Sequence, residues 1–101
     1  MVLDALPDLE ALLGREQRDM LLRLGVTHGE RARVAIAEAF VRGDVRGVKS
    51  EAHALRGAVA PFGVGDLVAS LAKAEKGDMV AREVDAAIAS FVAGCRAALD
   101  A

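Results

Sequence analysis

Apolar residues recur along the chain at three- and four-residue steps, without strand-like alternation, and this pattern predicts helices throughout. Leu9, Leu12, Leu13, Met20, Leu21 and Leu24 mark a first helical segment over residues 7–24. Pro7 suits its opening and Gly25 its end, while Gly14 leaves open whether the segment is one helix or two. Thr27-His28-Gly29-Glu30 has capping-box spacing, so a second helix is expected to start there. It would bury Ala32, Ala35, Ile36, Ala39 and Phe40 and end at Gly43. Asp44 is a good N-cap for a third helix with the seam Val45, Val48, Ala52, Leu55 and Val59. That seam stops at Pro61-Phe62-Gly63, where a helix should end or kink, because an interior proline costs ~3 kcal/mol or more. A fourth helix directs Val64, Leu67, Val68, Leu71 and Ala74 inward, Gly77-Asp78 marks a turn, and a last helix buries Val84, Ile88, Phe91, Cys95 and Leu99. Short connections between such helices favour antiparallel neighbours. The expected fold is all-α: an antiparallel four-helix bundle with an additional short N-terminal helix, with residues 1–101 forming one domain.

Composition narrows the classes of function. The chain has 101 residues, a size at which one hydrophobic core can form. Phe40, Phe62 and Phe91 are its only aromatic residues, and small aliphatic side chains dominate, which suits closely packed helices. A formal net charge of −2 gives no basic footprint, so nucleic acid is not an expected partner. The lone Cys95 excludes an internal disulfide and fits a reducing compartment. There is no basic leader and no apolar run long enough to span a bilayer, so a soluble, cytoplasmic protein is expected.

Candidate chemistry concentrates on the third helix, in Ala52-His53-Ala54-Leu55-Arg56-Gly57. Helical residues advance ~100° each, which places His53 with Arg46, Lys49 and Ala60 on one flank of the apolar seam. Arg56 lies near the seam's edge and Gly57 just beyond His53, with Glu51 on the opposite flank. His53 is therefore expected to face solvent among three cations and small residues. An unprotonated imidazole nitrogen can attack an acyl phosphate, and an unperturbed histidine (~6.5) is largely neutral near neutral pH. Neighbouring cations disfavour the imidazolium form. Arg56 suits two parallel hydrogen bonds to phosphoryl oxygens, and Arg46 and Lys49 suit the guidance of an acidic partner. Gly57 costs ~1 kcal/mol relative to alanine within a helix, and its missing side chain leaves room for a phosphoryl donor.

The hexapeptide resembles the His-x-Leu-Lys/Arg-Gly motif of histidine-containing phosphotransfer (HPt) domains. The resemblance extends over roughly residues 44 to 75, through Asp44, Ala58-Val59-Ala60, Phe62-Gly63, Leu67 and Leu71. It implies a phosphocarrier without a nucleotide site of its own, and so not an enzyme. His53 would be the phosphoacceptor, Arg56 the phosphate-facing cation and Gly57 the clearance residue. It further implies a phosphorelay in a two-component signalling system. The partners would be response-regulator receiver domains and a hybrid histidine kinase, with no membrane partner. No cofactor is expected on this chain, since the Mg²⁺ of the transfer belongs to the receiver. Two departures stand out: arginine in place of the more usual lysine, and Pro61 where a small polar residue is usual.

Other readings compete. A histidine kinase dimerisation module carries a similar box, His-Glu-Leu-Arg-Thr-Pro, but Gly57 stands at its threonine and the proline comes later here. Enough helices are present to close a bundle as a monomer. A helical adaptor of the same fold that is never phosphorylated is the second rival. Gly57 could instead relieve a clash between Pro61 and the carbonyl four residues before it, and the cations could form an ordinary solvated face. His28, at an expected cap, is read as structural or neutral, and Cys95 as a buried filler. Two histidines and one cysteine, far apart, offer no metal-ligand spacing.

Overall fold

The computed structural model describes residues 1–101 and is all-helical, with five α-helices, a single 3₁₀ turn and no strand. Helix α1 spans Leu6–Leu13, α2 Arg15–Val41, α3 Val45–Val59, α4 Gly65–Glu75 and α5 Ala81–Leu99, and the 3₁₀ turn Ala60–Phe62 follows α3. Helix α2 packs against α1, α3 and α5, while α4 packs against α3 and α5. The shape is elongated along the helices, at 42 × 19 × 17 Å. No helix is long and apolar enough to cross a membrane.

Two expected helix boundaries fall differently. Gly14 does divide the first segment: its φ of +85° is a left-handed conformation that glycine adopts without a steric penalty. Gly25, expected as a stop, lies inside α2, and Thr27 does not open a new helix. The Thr27 hydroxyl instead donates to the Arg23 carbonyl, one turn back, at 3.1 Å. Both internal glycines are buried against α5. A Cβ on Gly25 would stand 3.2 Å from Cys95 Sγ and Phe91 Cζ, and one on Gly29 only 2.6 Å from Val92 Cγ2. These positions let the two longest helices approach closely, and that packing outweighs the ~1 kcal/mol that each glycine costs a helix.

The core follows the expected seams in the second half of the chain. Val48, Ala52, Leu55 and Val59 of α3, Leu67, Leu71 and Ala74 of α4, and Val84, Ile88, Phe91 and Cys95 of α5 are all buried. Phe62 meets Phe91 edge-on, with ring centroids 5.6 Å apart. Departures cluster towards helix ends and on the N-terminal segment. Val45 is 62% exposed, because it opens α3 before that helix has entered the core. Leu12, Leu13, Met20 and Leu24 are also exposed, while Leu22 takes the fully buried place. Val68, Leu99, Phe40 and Ala35 are only partly covered. Arg18, unremarked in the sequence, is buried between helices. It donates to Asp19, to Glu10 of α1 and to the Ala98 carbonyl of α5.

Helix α3 is fixed at both ends. The Asp44 carboxylate accepts from the Gly47 N–H at 2.8 Å, an N-cap as expected. At the other end α3 stops at Val59, so Pro61 lies in the following 3₁₀ turn rather than in the helix interior. Gly63 then reverses the chain at φ +67°. Its missing side chain also admits the N-terminal segment, for a Cβ there would stand 2.7 Å from the Ala5 nitrogen. The Ala5 N–H donates to the Phe62 carbonyl at 3.1 Å, which pins this corner. The corner returns α4 alongside α3 and brings its last turn beside the middle of α3.

Candidate functional site

His53 projects from the exposed side of α3, opposite the buried Ala52 and Leu55, with 71% of its side chain accessible. Arg56 follows one turn later, more covered, at 37%. The contact absent from the expectation is Glu75, in the last turn of α4. Its Oε1 lies 2.7 Å from His53 Nδ1, and its Oε2 lies 3.1 Å from Arg56 Nη1. Glu75 is itself only 18% exposed. The three side chains form one cluster across the α3–α4 edge.

Hydrogen-bond chemistry assigns the ring's proton. A carboxylate only accepts, so the 2.7 Å contact requires the proton on Nδ1. Arg56 Nη2 is 3.3 Å from the same nitrogen, but it cannot donate to a nitrogen that already carries a proton. In the neutral ring the lone pair therefore sits on Nε2, which has no partner within the protein. Glu75 thus fixes both the tautomer and the direction of the ring.

The remaining expected site residues sit on the same face. Arg46 and Lys49 are exposed and make no ion pair or hydrogen bond within the chain. Gly57 is exposed, and a Cβ added there would meet nothing within 4 Å. No packing demand explains that glycine, in contrast to Gly25 and Gly29. The expected purely cationic surroundings do not hold, because Glu75 places a carboxylate against the ring and against Arg56. A signal for it existed in the sequence: the inward series of α4 reaches Leu71, and a four-residue step from there falls on Glu75. The step ends on the rim of the core, where a charged head can meet polar groups of α3.

Other candidate chemistry lies elsewhere. No group of three or more His, Cys, Asp or Glu side chains is placed to hold a metal ion. Cys95 is buried, and burial alone pushes its thiol up to about 11. His28 does not stand at a helix cap as expected; it lies mid-way along α2, lining a shallow groove with Arg31 and Glu51 of α3. Those three side chains make no ion pair or hydrogen bond with one another, in contrast to His53, Arg56 and Glu75. No family model matches the chain, and no curated protein or solved structure matches it.

Proposed function

We propose that the chain is a histidine phosphotransfer intermediate of a two-component phosphorelay, with His53 as the phosphoacceptor. The observation that carries this reading is the imidazole itself: Nδ1 lies 2.7 Å from Glu75 Oε1, and the side chain is 71% exposed with no partner on Nε2. In the proposed step the Nε2 lone pair attacks the phosphorus of an aspartyl phosphate on a receiver domain. The N–P bond forms as the P–O bond breaks, and its electron pair returns to the aspartate. The second half-reaction is the reverse, towards another receiver.

Each neighbour has a part in this reading. Arg56 offers a planar cation to the phosphoryl oxygens, and Arg46 and Lys49 offer unpaired charge to an acidic partner. Gly57 leaves open space one turn from the nucleophile. The receiver would supply Mg²⁺ and most of the stabilisation of the transition state, leaving this chain a phosphocarrier rather than an enzyme. In architectural terms we read α2 to α5 as an antiparallel four-helix bundle with α1 as the accessory helix, acting as a cytoplasmic monomer. The test is exchange with a purified receiver. Label should leave the phosphorylated receiver as it appears on this chain, and return when unlabelled receiver is added; no exchange in either direction refutes the proposal.

A further inference from the structure

The Glu75 carboxylate serves two neighbours unequally. Oε1 accepts the His53 Nδ1–H at 2.7 Å. Oε2 is buried and has no hydrogen bond, although Arg56 Nη1 lies 3.1 Å away. The guanidinium thus pairs with it by charge without being locked by directed donors. Arg56 is also the more accessible partner, at 37% against 18%. Its Nη2, 3.3 Å from Nδ1, already lies against the imidazole edge.

Charge balance shows what this arrangement suits. In the neutral, nucleophilic form of the ring, Arg56 offsets the charge of Glu75. Attack by Nε2 forms the N–P bond and returns the P–O electron pair to the leaving carboxylate, while the ring keeps its Nδ1 proton. The ring therefore becomes a cation, and a phosphoryl dianion now stands beside it. The imidazolium takes over the balancing of Glu75, and the dianion is left in need of a cation.

We propose that Arg56 exchanges partners during the transfer. It pairs with Glu75 while His53 is free and moves onto the phosphoryl oxygens when the N–P bond forms, leaving Glu75 as the counter-ion of the ring. Glu75 is then a positioning residue in both half-reactions, holding the same proton throughout, so neither direction requires a proton transfer. The exchange rests on His53 being the phosphoacceptor. Lys49, unpaired and one turn before His53, is the competing cation for the phosphoryl group.

Phosphoramidate, a small donor that modifies imidazole without a partner protein, provides the test on isotopically labelled chain. On phosphorylation, the Arg56 guanidinium protons should gain coupling to ³¹P and the Glu75 carboxylate carbon should shift, while the His53 Nδ1–H signal persists. Glu75→Gln keeps an acceptor for Nδ1–H but removes the charge. It should lower the phosphorylated fraction at equilibrium with a phosphorylated receiver several-fold, and Glu75→Asp should recover part of that loss. Coupling to Lys49 instead, or unchanged Arg56 and Glu75 signals with His53 phosphorylated, overturns the exchange alone. A His53 that neither phosphoramidate nor a phosphorylated receiver modifies overturns the phosphoacceptor reading, and the exchange with it.

Discussion

Glu75 Oε1 and His53 Nδ1, 22 residues apart in the chain, meet at 2.7 Å across the edge between α4 and α3. This contact decides which imidazole nitrogen carries the proton in the neutral ring, and it depends on the corner at Phe62-Gly63 that returns α4 beside α3. Local sequence places the histidine on an exposed face; only the tertiary fold gives it an orientation. Ring ¹⁵N shifts should therefore report the Nδ1–H tautomer in the unmodified protein. In Glu75→Ala the two tautomers should mix, with helical content unchanged; an unchanged tautomer in that variant contradicts the assignment.

Gly57 separates a docking role from a backbone role. Nothing lies within 4 Å of the position where its Cβ would stand, and α3 ends before Pro61. Gly57→Ala should leave the melting temperature equal or raised, by up to ~1 kcal/mol of stability, since alanine is the better helix former. Gly57→Gln should keep the fold and slow phosphotransfer sharply. Loss of stability in Gly57→Ala that Pro61→Ala restores would assign the glycine to the backbone instead.

The glycines of α2 should behave in the opposite way. A Cβ on Gly29 would press to 2.6 Å from Val92 Cγ2, so Gly29→Ala should destabilise by ~1–3 kcal/mol through overpacking. Gly25→Ala, at 3.2 Å from its nearest neighbours, should cost less. Val92→Ala should recover part of the Gly29→Ala loss in denaturant titrations. A neutral Gly29→Ala would refute the close approach of α2 and α5.

This contrast also explains what the sequence reveals. The seams of α3, α4 and α5 are legible because packing there follows periodicity, and Asp44 is legible as a cap because capping is local. Gly25 reads as a stop only while its neighbour is unknown; the same residue type permits close packing when Phe91 and Cys95 lie across from it. Leu12 and Leu24 fit a helical stripe yet stay exposed, Leu12 on the short α1 and Leu24 in a groove beside Pro61 and Phe62. His53, Arg56 and Gly57 are visible as a local motif. The pairing of Glu75 with His53 and Arg56 is not, because it joins two helices and depends on the turn between them.

Cys95 should be chemically silent in the folded chain. Its thiol is buried and pushed up to about 11, so almost no thiolate exists near neutral pH. Iodoacetamide should modify it slowly until denaturant is added, then quickly. Stoichiometric alkylation under native conditions would show that the α5 face is open.

The outer contact between α2 and α5 should be acid-sensitive. Arg33 holds Asp85 with a two-pronged guanidinium–carboxylate contact at 2.9 and 3.2 Å, and its hydrogen bonds keep the Asp85 carboxyl below the usual carboxylate value. A depressed carboxyl contributes stability above its unfolded pKa and loses it as pH falls through the folded value. Both side chains are partly exposed, so solvent screening keeps the contribution below ~1 kcal/mol. Asp85→Asn should melt slightly below the parent near neutral pH and match it in strong acid. A gap that persists in acid would trace to packing rather than charge.

The most direct measurement maps the phosphoryl group itself. The parent chain, His53→Gln and His28→Gln are each incubated with a phosphorylated receiver, and acid-labile label is located by peptide mapping. The expected result is label on His53 in the parent and in His28→Gln, and none in His53→Gln. Label that survives His53→Gln, or that maps to His28, would contradict His53 as the phosphoacceptor.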